Sequence, residues 1–194
     1  MQKILYLAST SPRRKQLLEQ IGLKFKIMPS DFEENMNLKM SHKELAKTLS
    51  FGKAYAIAQK LKNGIVIGCD TFLVFNDKRI GKPKSKKHAE QILKAISNRT
   101  IEVYSGVALI DLYDDRAIVD VEKTLVKIKK LTPNEISDYI ATGEPLDKAG
   151  AFAIQGKGAA LIEKINGCYS NVIGLPLYKL NIMLQKAGYN IWKN

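Results

Sequence analysis

Cysteine is scarce in this chain, with only Cys69 and Cys168 among 194 residues. The two stand far apart, lack metal-like spacing and are flanked by small or apolar residues, which argues against a disulfide framework and predicts buried free thiols. A nucleophilic role for Cys69 finds no assignable partner base in the sequence. The two histidines, His42 and His88, fall in helical stretches without ligand spacing, so surface positions are predicted for both. Aromatic residues make up only 8% and do not interleave with the lysine clusters at 82–87 and 127–130. A stacking series for single-stranded nucleic acid is therefore missing, as are zinc-finger, KH and RRM signatures. No apolar run approaches the length that spans a bilayer, and the N-terminus lacks the pattern of a signal peptide. The expected setting is cytoplasmic, with no membrane partner. No Gly-x-Gly-x-x-Gly follows the first strand and no P-loop is present, which excludes the two commonest phosphate cradles.

Acidic residues are also in short supply, 19 against 31 basic ones, leaving a formal net charge of +12. That balance favours anionic partners, either nucleic acid or a small, multiply charged phosphate. A solvated basic surface would give the same composition. With 45% hydrophobic residues, the chain is long enough to bury a core as one domain or as two closely joined lobes.

The apolar periodicity predicts a strand over 3–8, a helix over 14–21 and an extended segment over 25–28. After the acidic stretch 30–37, Ser41-His42-Lys43-Glu44 has the form of a capping box and predicts a helix over about 42–61. Residues 65–68 and 72–75 read as two strands across a short turn, and Asn76-Asp77-Lys78 as a hairpin turn. A helix is predicted over 86–97, strands over 101–112 and 117–129, and a second capping box at Thr132-Pro133-Asn134-Glu135 opens a helix over 133–142. A loop over 150–158, a strand over 159–163 and a helix over 175–187 complete the pattern. Strands mixed with helices and hairpins imply an α/β fold with a mixed sheet.

Chemistry concentrates in a few places. Ser9-Thr10-Ser11-Pro12-Arg13-Arg14, directly after the first strand, suits an anion-binding loop in which guanidinium forks and helix N-terminal amides meet phosphate oxygens. A solvated arginine pair is the plain alternative. Asp70-Thr71 is expected at a strand tip, where a carboxylate suits a divalent metal or a positioned water; a turn-capping Asp is the plain alternative, and the apolar flanks favour a focused position. Glu33 and Glu34 offer a second carboxylate, one of which would join Asp70 around Mg²⁺ unless the pair is a solvated turn. Lys53 lies within a helix and Lys82 in Gly81-Lys82-Pro83. Gln155, in the late loop, can donate and accept on adjacent atoms, as the imide edge of a pyrimidine requires; holding loop backbone is its structural alternative.

Taken in order, Ser9–Arg14, Cys69-Asp70-Thr71, Gly81-Lys82-Pro83, Gly143–Gly150 and Val172–Pro176 resemble the Maf family (septum-formation-type proteins) over essentially the whole chain. The resemblance implies a nucleoside triphosphate pyrophosphatase with a two-lobed, inosine-triphosphatase-like (Maf/Ham1) fold. It also implies a central cleft, a single catalytic domain over 1–194, a homodimer and a divalent cation, Mg²⁺ or Mn²⁺. Matched position by position, Ser9, Arg13 and Arg14 resemble the family's substrate loop, and Glu34, Lys53, Asp70 and Lys82 its polar cluster. Asp70 stands at the proton acceptor, and Glu34 with Asp70 at the metal. Arg13, Thr71 and Gln155 resemble the markers of the branch acting on dTTP and UTP. Cys69, Ser105, Phe152 and Cys168 depart from the usual Ala, Thr, Tyr and Ser without removing a proposed catalytic group. A broader pyrophosphatase for CTP or modified nucleotides is the alternative within this chemistry; a basic nucleic-acid-binding regulator of cell division is the alternative outside it.

Overall fold

Apolar strands, joined in places directly and in places through helices that bury an apolar stripe, form a mixed sheet. The computed structural model describes residues 3–193. Its strands are β1 (Leu5–Leu7), β2 (Phe25–Ile27), β3 (Ile65–Phe75), β4 (Lys78–Ile80), β5 (Thr100–Asp111), β6 (Arg116–Ile128) and β7 (Ile162–Asn166). The helices are α1 (Pro12–Gln20), α2 (His42–Ala58), α3 (Lys86–Ile96), α4 (Pro133–Ala141), α5 (Tyr169–Ile173) and α6 (Leu177–Lys186). The sheet runs β2-β1-β3-β5-β6-β7, with β4 paired to β3. β1 is parallel to both β2 and β3, whereas β3–β4 and β6–β7 are antiparallel.

The chain divides into two compact units. Unit 1 comprises residues 1–71, 104–122 and 174–194, and unit 2 comprises 72–103 and 123–173. In unit 1, Tyr6, Ala8, Ala54, Ile57, Ala58, Val66, Ala108 and Ile110 pack α2 against the sheet. In unit 2, Ala89, Leu93 and Ile96 of α3 and Ile136 and Ile140 of α4 meet Ile101, Val103, Val126 and Ile128.

One capping box forms in full: Thr132 and Glu135 satisfy one another's backbone amides. At the other, Ser41 caps α2 by accepting from the Glu44 amide, and the Glu44 carboxylate takes the Ser41 hydroxyl. The β3–β4 hairpin closes through Asn76 and Asp77 alone, both at positive φ (48° and 60°), the geometry of a type I′ turn. Helix α1 starts earlier than the periodicity suggests because Pro12 supplies its first turn.

Three readings change. Residues 65–75 form one continuous strand instead of two strands across a turn, since nothing in Cys69-Asp70-Thr71 breaks an extended backbone that is buried along most of its length. Asp70 therefore sits within a strand, not at its tip. The strand expected at 159–163 shifts to 162–166, because Lys157–Leu161 winds into a 3-10 turn. The short helix α5 lies ahead of a terminal helix that begins only after Pro176. Among the thiols, Cys69 is buried as expected and Cys168 half-buried, and both are free.

Candidate active site

Small residues let one helix lie close to the sheet, and that approach assembles a charged cluster in unit 1. Ala46, Ser50 and Ala54 recur every fourth position on α2, forming a low ridge. Opposite it, a Cβ on Gly68 would stand 2.3 Å from the Ser50 carbonyl oxygen, and one on Gly106 would stand 1.8 Å from that of Ala46. Glycine at both strand positions is thus a packing requirement. With α2 seated this deeply, the buried Lys53 reaches β3, and its Nζ lies 2.5 Å from Asp70 Oδ1.

The same ammonium lies 2.6 Å from Glu34 Oε1. Glu34 belongs to an irregular segment, and two contacts hold that segment against α2 and the turn that follows it. The Phe32 ring occupies the space a side chain at position 52 would need, and Asp31 pairs with Lys60 at 2.9 Å. The Lys60 hydrogen bond, backed by a backbone bond and Coulomb attraction, holds the Asp31 carboxyl below its usual range. Glu33 stays exposed. Two carboxylates thus converge on one cation, a donor set that also suits a divalent metal sharing its remaining positions with substrate phosphates. No group of three or more His, Cys, Asp or Glu residues capable of holding a metal occurs among the described residues.

The first loop forms a second cluster in unit 1. Arg14 donates through Nε to the Gly174 carbonyl at 3.0 Å and through Nη1 to Ser9 Oγ at 3.1 Å. Nη2 reaches Thr71 Oγ1 at 3.4 Å. Ser9 Oγ also accepts the Ser11 amide at 3.2 Å, so both of its lone pairs are engaged and its own O–H remains to donate. Thr71 Oγ1 lies 2.7 Å from Ser105 Oγ and 3.2 Å from the Gly174 oxygen. Its hydroxyl is largely consumed by protein partners, which makes it an anchor for Arg14. Arg13 stands beside Arg14 on α1, half-buried. Cys69 donates to the Gly174 carbonyl at 3.1 Å; burial pushes its thiol up, outweighing the nearby Arg14 charge, which disfavours the thiolate.

Unit 2 carries the other two expected residues. Lys82 is exposed after β4, in a loop tied to the late tract where the Gly150 amide donates to the Gly81 carbonyl at 3.0 Å. Gln155 is exposed between the buried Ile154 and Gly156. Sequence reasoning gave no role to Ser105, Phe32 or Glu144. Ser105 is fully buried beside Thr71, and Glu144 accepts hydrogen bonds from the Gln155 loop. A serine within an apolar run was the available signal for the first, and the Gly143-Glu144-Pro145 turn for the last.

The mixed sheet thus carries, in unit 1, a lysine held between two carboxylates and a braced arginine loop. The fold is that of the Ham1 protein of Staphylococcus aureus, with a TM-score of 0.55 and 18% identity, covering 95% of this chain and 100% of that one. Within that architecture the chain belongs to the Maf-like protein family, which matches residues 4–187. A dTTP/UTP pyrophosphatase of Clostridium botulinum (strain Kyoto / Type A2) is 47% identical over 193 residues, covering 97% of this chain and 100% of that protein. Proteins of the same name from Caldicellulosiruptor bescii and Dictyoglomus thermophilum are 45% and 44% identical over at least 98% of each chain.

Proposed function

We propose that this protein hydrolyses dTTP and UTP to the nucleoside monophosphate and pyrophosphate. The observation that carries the reading is similarity along nearly the whole length to proteins named for that activity, at 47% identity in the strongest instance described above. The two clusters of unit 1 supply chemistry that fits it. Water attacks the α-phosphorus, the bond from that phosphorus to the α–β bridging oxygen breaks, and pyrophosphate leaves with the bond's electron pair.

Asp70 accepts the proton of the attacking water. Its Oδ1 rests on Lys53, which fixes the carboxylate and leaves Oδ2 for the water. Glu34 and Asp70 would hold a divalent cation, Mg²⁺ or Mn²⁺, whose chemistry is to polarise phosphate oxygens and the nucleophile. Arg14, pre-set by three acceptors, and the Ser9 hydroxyl grip the triphosphate together with Arg13. Lys53 and Lys82 add positive charge where charge develops in the transition state. Thr71 serves base recognition by holding the first loop, and Gln155 reads the uracil or thymine edge; the parts of Lys82 and Gln155 rest on the family resemblance. In this reading the whole chain acts as one catalytic domain, as a cytoplasmic homodimer, with no nucleic-acid or membrane partner.

Product-resolved hydrolysis of dTTP, UTP, CTP, dCTP, 7-methyl-GTP and ITP with Mg²⁺ or Mn²⁺ tests the reading. UMP or dTMP plus pyrophosphate, with little turnover of purines, is expected. Asp70→Asn should lower kcat by on the order of a hundredfold or more without unfolding the protein. Monophosphate and pyrophosphate from another base would keep the mechanism and overturn the substrate. No turnover, with salt-sensitive nucleic-acid binding in its place, would shift the reading to a regulator, which the net charge of +12 otherwise favours.

A further inference from the structure

Glu144 fastens the late loop of unit 2. Its Oε1 accepts from the Tyr139 hydroxyl at 2.8 Å and from the Gly158 amide at 2.9 Å, and its Oε2 accepts from the Lys157 amide at 2.9 Å. The Tyr139 oxygen in turn accepts the Ala153 amide at 3.3 Å. The segment 153–158 is therefore tied on both sides of Gln155 to one tyrosine–glutamate pair. Two glycines permit so close an approach. A Cβ on Gly156 would lie 2.6 Å from Glu144 Oε2, and one on Gly158 would lie 2.4 Å from the Tyr139 hydroxyl oxygen. Gly156 also has φ +146°, a conformation that L side chains rarely adopt. Ile154 points into the protein while Gln155 is left at the surface.

A glutamine amide carries both a donor and an acceptor, so a mobile one satisfies uracil and cytosine alike. Discrimination needs the backbone beneath it held in place, because only a fixed amide leaves the wrong base with an unpaired group. We propose that Glu144 and Tyr139 are positioning residues for Gln155, and that their latch sets the preference for uracil and thymine over cytosine. The inference rests on the dTTP/UTP reading and extends it to residues outside the expected site.

Steady-state kinetics with UTP and CTP on the full-length protein tests this, using Glu144→Gln, Tyr139→Phe and Gln155→Ala. Both latch variants should lower the UTP/CTP ratio of kcat/KM by on the order of tenfold, through a higher KM for UTP with kcat retained. Combining Glu144→Gln with Gln155→Ala should cost no more selectivity than Gln155→Ala alone. Amide hydrogen exchange gives a readout independent of turnover, since Lys157 and Gly158 should lose protection in Glu144→Gln. Tyr139→Phe removes a single oxygen and keeps the test open where the glutamate variant does not fold. An unchanged ratio in variants of a UTP-preferring wild type overturns the inference and spares the dTTP/UTP reading. So does an equal loss of kcat on every nucleotide, or unaltered exchange at 157 and 158. A wild type with no preference for UTP over CTP overturns both.

Discussion

The ammonium of Lys53 stands between Glu34 and Asp70, at 2.6 and 2.5 Å, in a position a divalent cation would also favour. Removing one partner from a buried ion pair leaves the other uncompensated, commonly at a cost of about 3–5 kcal/mol. Lys53→Met should therefore lower the melting temperature of the metal-free protein. Mn²⁺ should then stabilise this variant more than the wild type, because it restores charge balance without displacing a lysine. Thermal denaturation with and without Mn²⁺ reads both effects, and equal stabilisation of the two proteins would count against shared occupancy. At this scale the sequence is a partial guide. Glu34 and Asp70 are paired in the sequence as carboxylates suited to one metal, but Lys53 joins them there only through the family resemblance, since its spacing carries no mark of contact. Phe32 over Gly52 and Ser105 beneath Thr71 were not legible, because each acts through a partner that only the fold supplies.

Among the elements, α2 decides the geometry of unit 1. A methyl group at Gly106 would stand 1.8 Å from the Ala46 carbonyl oxygen, backbone against backbone, with no flexible side chain to yield. Gly106→Ala should cost about 1–3 kcal/mol in urea denaturation and should reduce turnover as Lys53 is lifted from Asp70. In unit 2, helix α4 carries a pH signature. A hydrogen bond from Lys129, followed by the Thr132 backbone bond, lowers the Glu135 carboxyl from its ordinary 4.5 to about 2. A folded-state value below the unfolded one means that the stabilisation is fully present above about 4.5 and is lost as the pH falls through about 2. Glu135→Gln should thus destabilise the protein near neutrality, with the difference from wild type vanishing towards pH 2; melting curves across that range measure it. These elements were largely legible, since caps and apolar periodicity are local signals. The break imagined at 69–71 was not, because a polar Cys-Asp-Thr step looks like a turn until its neighbours on the sheet are known. The shifted β7 and the short α5 follow from 3-10 and loop geometry that hydropathy does not encode.

For the whole molecule, the +12 charge sets how an anionic nucleotide arrives. KM for UTP should rise with ionic strength while kcat stays nearly constant, because salt screens long-range attraction more than contacts within a site. A flat KM from low to physiological salt would assign the basic excess to solvation alone. The division into units leaves unit 1 in three separate stretches of chain, and the last begins at Gly174. Its carbonyl receives Arg14 Nε, Thr71 Oγ1 and Cys69 Sγ, and the arginine lies 160 positions earlier. On the ribosome that oxygen is added only after both earlier stretches of unit 1 and the whole of unit 2. The first loop consequently cannot take its braced form until Gly174 has been made, so the order of synthesis delays the bracing of a segment that is itself among the first to emerge.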